Sequence, residues 1–285
     1  MIAWPNNLVD SISRRRAVVV IGSGVSANAQ SASGERPPTW ADFLRKAYTN
    51  LGRRVRHISE ALGQNDMLAA CEFLKSEYGA DWTNCLNNSF VSPGYKSAEI
   101  HKAIFDIDVR TIISLNFDQI YEDYARSVSE NTVFVKSYYD SDVRQTLSGP
   151  DRYILKPHGS IDTPSRLLFT LESYAKARVK NAPFYEMINA LLHTNTFILL
   201  GCGLNDPDVR LIFEDYRFKF DEAPHYMTMS GPVPPAVRNM ICDTRGIHIL
   251  SYSKREHHRE LTLSLIELAH QVSAKREQIA DSRNW

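Results

Sequence analysis

Residues 18–29 read VVVIGSGVSANA. Four β-branched residues run directly into Gly22, Gly24 and Ala27, in G-x-G-x-x-A spacing. Such residues suit a pleated strand. A run without polar alternation fits a strand covered on both faces, as in a parallel sheet. The first glycine permits a tight turn, the second lets the backbone approach a pyrophosphate, and small Ala27 lets the next helix pack closely. Val25 and Ser26 lie within this turn, whose N–H groups are candidates to hold phosphate. A glycine-rich turn without a ligand has the same spelling, so the stretch specifies strand, turn and helix before it specifies a ligand. Dinucleotide-binding Rossmann enzymes also place an acid at the end of the second strand. Here a loop follows, QSASGERPPTW (30–40), and Asp42 has the spacing but not the context.

Further apolar runs at 110–115, 132–136, 153–158, 196–201, 225–229 and 247–252 join 17–22 as expected strands. Between them lie helical patterns: DQIYEDYARSV from Asp118, DPDVRLIFEDYRFKF from Asp206, and a long one over about 255–280. Asp206 can cap the second of these, with Pro207 in its first turn. Alternating strands and helices predict an α/β protein with a doubly wound, mostly parallel Rossmann-like sheet. Residues 40–105 break the alternation and read as helices throughout, a helical module inserted after the first strand. The expectation is one domain over 1–285, ending in a C-terminal helix and charged tail at about 255–285.

Thirty-three basic and 33 acidic residues leave no net charge. Neither nucleic acid nor an anionic membrane is required as a partner. No run approaches the roughly 18 apolar residues of a membrane-spanning helix. The start, MIAWPNNLVD, lacks the layout of a secretory signal, so the expected location is cytoplasmic. The four cysteines are scattered without a C-x-x-C pair, which argues against a structural zinc site and a disulfide framework.

Three more strand ends repeat the pattern of the first. In IISLNFDQIYE the strand runs into Asn116 and Asp118, which could hold ribose hydroxyls, a carboxamide or a water; Asp118 reads equally well as a helix cap. In YILKPHGS, His158 ends an apolar strand and precedes Gly159. It could serve as a base or hydroxyl ligand near neutral pH, or as a hydrogen-bonded core histidine. The HHs of REHHRE (255–260) read as a solvated helix start. In TFILLGCGLNDPD, Gly201 and Gly203 allow close backbone approach and Asn205 stands at the mouth.

In order, GSGVS (22–26), SLNFD (114–118), KPHGS (156–160) and GCGLNDPD (201–208) resemble the sirtuin family, whose corresponding segments surround NAD. The Asn-Phe-Asp variant and the last two segments are most similar to the bacterial sirtuin-like branch of anti-phage defence. Deacylases of the family carry a four-cysteine zinc ribbon between the His-Gly segment and the glycine turn, and residues 160–200 contain no cysteine. The resemblance therefore implies a metal-free NAD+ glycohydrolase with NAD as substrate. It implies Gly22, Gly24 and Ser26 around the phosphates and Gly201, Gly203 and Asn205 against the adenosine half. Asn116 would orient ribose or water, Asp118 would contact the carboxamide, and His158 would act as base. It also implies a homo-oligomer, gated by assembly or by a partner protein such as a defence ATPase or a phage sensor. A non-catalytic NAD or ADP-ribose sensor would not need both Asn116 and His158. A zinc-free deacylase or ADP-ribosyl transferase is the remaining alternative.

Overall fold

The computed structural model describes residues 1–203 and 207–282. Helix α1 (Asn6–Ser13) leads into β1 (Ala17–Ile21), and the one-turn α2 (Ser23–Ser26) follows at once. Five helices come before the next strand: α3 (Trp40–Asn50), α4 (Arg56–Gly63), α5 (Met67–Tyr78), α6 (Trp82–Phe90) and α7 (Glu99–Asp106). Next are β2 (Thr111–Ser114), α8 (Ile120–Val128), β3 (Val133–Ser137), the short α9 (Gln145–Ser148) and β4 (Arg152–Lys156). Helices α10 (Leu171–Lys180) and α11 (Ala182–Thr194) precede β5 (Thr196–Leu200). The chain closes with α12 (Pro207–Phe220), β6 (His225–Ser230), α13 (Pro235–Arg245), β7 (Ile247–Tyr252) and α14 (Arg255–Ser282).

All seven expected strands form, and they pair in one sheet of order β3-β4-β2-β1-β5-β6-β7. Every pairing is parallel. The chain starts at the centre, builds outward through β2 to β4 and β3, then returns past β1 to lay down β5, β6 and β7. That reversal makes the sheet doubly wound.

Strand periodicity divides the core. Val19 and Ile21 of β1, Ile112, Ile154, Ile198 and Leu200 face one layer, formed by α1, α7 and α14. Val18, Val20, Ile113, Leu155, Phe197 and Leu199 face the other, formed by α10–α13. Both faces are covered, which is why these strands are written as unbroken apolar runs. Burying each large aliphatic side chain contributes about 1.5–3 kcal/mol.

Helices α3 to α6 share a third core with Ile161, Leu167 and Phe169, from the segment after β4. Thr39 caps α3 by accepting from the Asp42 N–H, and its hydroxyl donates to the Asp42 carboxylate, so Asp42 is a helix-start residue. Helix α7 joins the sheet's own layer instead, through Ile100, Ala103 and Ile104. In α14 the residues Glu256, His257 and His258 have φ of 50°, 54° and 66°, a left-handed turn ahead of the regular helix.

Candidate active site

The four loops marked by the sequence leave four neighbouring strands, β4, β2, β1 and β5, at their carboxyl ends. Ile21 is level with Ser114 on one side and Leu200 on the other. Ile113 is level with Leu155, which sets Ser114 beside Lys156. Asn116 and His158 therefore each follow two residues after a common level. Between β1 and β5 the winding reverses, the point at which open α/β sheets take ligands.

Backbone contact joins the two glycine loops. The Gly22 N–H donates to Leu200 O and that of Gly24 to Gly201 O, both at 3.0 Å. A Cβ on Gly22 would stand 2.6 Å from Gly201 O, and one on Gly201 would stand 2.6 Å from Val25 N. Gly201 also has φ of +60°, a conformation that disfavours side chains. These glycines let the loops touch each other. The amides of Gly24, Val25 and Ala27 already donate to Gly201, Gly22 and Ser23 carbonyls. Ser23 and Gly24 are the exposed residues of this turn. A Cβ on Gly203 would meet nothing within 4 Å. Asn205 and Asp206 lie outside the described residues.

Asn116 is only 8% exposed and bridges loops. Its Nδ2 donates 3.0 Å to Gly22 O and 2.9 Å to Ser26 Oγ. The Gly22 carbonyl can only accept, which fixes the amide's orientation and leaves Oδ1 as the acceptor for another molecule. Phe117, next along, packs edge-on to Trp40 at 5.2 Å and to Phe169 at 4.9 Å. The helices of the third core thus hold the Asn116 turn.

His158 is 2% exposed. Its Nδ1 lies 3.2 Å from Leu115 O, one residue before Asn116. A carbonyl cannot donate, so Nδ1 carries the proton and Nε2 the lone pair of the neutral ring. Tyr174 meets the ring edge-on at 5.1 Å. Thr170 places that tyrosine by capping α10, accepting from the Ser173 N–H at 3.1 Å. Gly159, at φ +83°, turns the chain away where a Cβ would strike Arg166 O at 2.8 Å.

Asp118 is a helix cap. Its Oδ1 accepts from the Ile120 N–H at 3.1 Å, starting α8. Burial raises its proton affinity, Glu122 raises it further, and Lys156, the Ile120 amide and the Ser26 hydroxyl lower it. Sequence reading missed Glu122 and Lys156, which pair at 2.7 Å beneath the turn. One signal was available: a lysine within an otherwise apolar strand. A buried cation requires a partner.

A cavity of about 360 Å³ lies along α8, lined by Tyr95, Lys96, Gln119, Asp123, Tyr124 and Ile161 among others. None of the residues marked by the sequence lines it. The switch point of the sheet and the His158 imidazole lie at the strand-end cluster, not at this cavity. Among the described residues no group of three or more His, Cys, Asp or Glu is arranged to hold a metal. No helix there is long and apolar enough to cross a membrane.

Residues 110–250 match the SIR2-like domain family, a span that holds Asn116, Asp118, His158 and Gly201. The chain is 25% identical over 226 residues to NAD(+) hydrolase ThsA of Enterococcus faecium, covering 77% of this chain and 44% of that protein. It is 21% identical over 218 residues to NAD(+) hydrolase ThsA of Acinetobacter baumannii, covering 76% and 42%. Against NAD(+) hydrolase ThsA of Bacillus cereus the identity is 20% over 220 residues, covering 75% and 43%. The chain thus spans less than half the length of these curated relatives. With the doubly wound sheet and the four strand-end loops, these matches make residues 110–250 similar to a SIR2-like, or sirtuin-like, domain.

Proposed function

We propose that this chain hydrolyses NAD+ to nicotinamide and ADP-ribose at the rim formed by β4, β2, β1 and β5. The observation that carries this reading is the Asn116 amide, which is hydrogen-bonded to the glycine loop and stands on the strand beside the one that bears His158. Water attacks C1′ of the nicotinamide ribose as the C1′–N bond breaks. The bonding pair goes to the ring nitrogen and neutralises the pyridinium. The transition state is oxocarbenium-like. The water's proton passes to His158 Nε2 and then to solvent. Asn116 Oδ1 orients the ribose or the water, and Asp118 meets the carboxamide. The glycine loops lie against the phosphates and adenosine, with no metal in the reaction. Substrate reaches His158 when Phe117 and Tyr174, whose rings lie 6.3 and 5.1 Å from the imidazole, shift.

The relatives' names support the substrate. We place this activity in a cytoplasmic, gated anti-phage response, with a homo-oligomer or a partner protein supplying the control.

The test is chromatography of NAD+ incubated with the purified chain. Nicotinamide and ADP-ribose should appear in equal amounts. Asn116→Ala or His158→Ala should lower the rate by at least about 100-fold, the scale of a lost acid–base or orienting group. Binding of NAD+ without nicotinamide release under every condition of assembly would favour a sensor. Removal of an acyl group from lysine would favour a deacylase.

A further inference from the structure

Lys156 and Glu122 are 0% and 1% exposed, and their charged ends lie 2.7 Å apart. The same Nζ also donates 2.6 Å to the main-chain oxygen of Asp118. One ammonium thus ties together three segments: β4 two residues before His158, the turn carrying Asn116 and Asp118, and α8. Removing two charges from water is unfavourable, and buried ion pairs can often be replaced by apolar side chains without loss of stability. Stability alone therefore does not account for this pair. The second Glu122 oxygen, Oε2, is buried without a hydrogen-bond partner. So is Nε2 of His101, which approaches α8 from α7 with its ring 6.5 Å from Tyr121.

The groups facing Asp118 are Glu122 and the Ile120 amide on its own side, Lys156 from β4 and the Ser26 hydroxyl from α2. Glu122 in turn is felt by His101, Tyr121 and Asp123. Building on the NAD-cleaving reading above, we propose that Lys156 and Glu122 are positioning residues of that site. They hold the Leu115–Asp118 turn at the level of His158 and link it to Glu122 through the one Lys156 ammonium. Neither touches substrate; both act through Asp118 and the turn.

Glu122→Gln separates charge from shape, because its amide oxygen still accepts from Lys156. The readout is the carbon-13 NMR titration of the Asp118 carboxyl in the full chain, without substrate. Removing the like charge should move that titration to lower pH. Lys156→Met removes both donated bonds and should lower kcat for nicotinamide release at least tenfold with little change in KM. If that variant fails to fold, the Glu122→Gln titration decides the matter. An unchanged Asp118 titration in Glu122→Gln overturns the link while leaving the functional reading intact. A wild-type chain that binds no NAD+ in calorimetry overturns the functional reading instead, and with it the role assigned to the pair.

Discussion

At the scale of single residues, three hydrogen bonds fix the polar side chains at the strand ends. Nδ2 of Asn116 donates twice, to Gly22 O and Ser26 Oγ, and the ring of His158 gives its Nδ1 proton to Leu115 O. In the proposed reaction these bonds orient the two working atoms, Asn116 Oδ1 and His158 Nε2. Asn116→Asp tests this directly. A carboxylate cannot donate to the Gly22 carbonyl, and a buried acceptor facing an acceptor costs about 1–3 kcal/mol. We expect a fall in chemical-denaturation stability of that size, together with loss of NAD cleavage. Unchanged stability would mean that the amide does not bridge the loops.

At the scale of elements, the contact between the β1 and β5 loops determines whether the rim exists. Gly201→Ala places a methyl against the Val25 amide in a left-handed conformation. We expect a destabilisation of about 2–4 kcal/mol, from the strained φ and the backbone clash together. Gly203→Ala, with open space around it, should change stability by less than about 0.5 kcal/mol. Thermal melts of the two variants check the contrast. Equal effects would argue against the backbone packing described. The sequence spells these glycines as ligand-facing. It carries no sign that two of them face each other, because that contact joins residues some 180 positions apart through strand pairing. The strands themselves were legible, since burial on both faces leaves unbroken apolar runs such as AVVVI and TFILL. The position of β4 between β2 and β3 was not, because strand order depends on crossovers that local pattern does not record. The pairing of Lys156 with Glu122 was not legible for a related reason: strand and helix are 34 positions apart, and local pattern does not show that they meet.

At the scale of the whole molecule, two buried histidines link folding to pH. His101 accepts the Ala98 N–H on Nδ1 at 2.9 Å, and burial holds its pKa down at about 4. His225 accepts the Phe197 N–H at 3.1 Å, and burial holds it at about 3. Below pH 6.5 the unfolded chain takes up protons that the folded chain refuses. Stability is therefore complete above pH 6.5 and falls as pH drops toward 4. The loss is on the order of 3 kcal/mol per histidine over that window. Urea midpoints measured from pH 8 to pH 4 should show this decline, and His101→Gln should reduce it by about half, leaving the part due to His225. A midpoint that does not vary with pH would contradict the buried neutral rings. The same whole-molecule view explains the site's location. Four central strands end at one level, and the helices of the third core, through Trp40, Phe117 and Phe169, press on the turn between them.

The most direct test is a crystal structure of the Asn116→Ala chain soaked with NAD+. The account predicts the pyrophosphate beside Ser23 and Gly24 and the nicotinamide ribose between residue 116 and the His158 imidazole. A dinucleotide seated instead in the cavity lined by Tyr95, Lys96 and Tyr124, with the strand-end loops untouched, would contradict it.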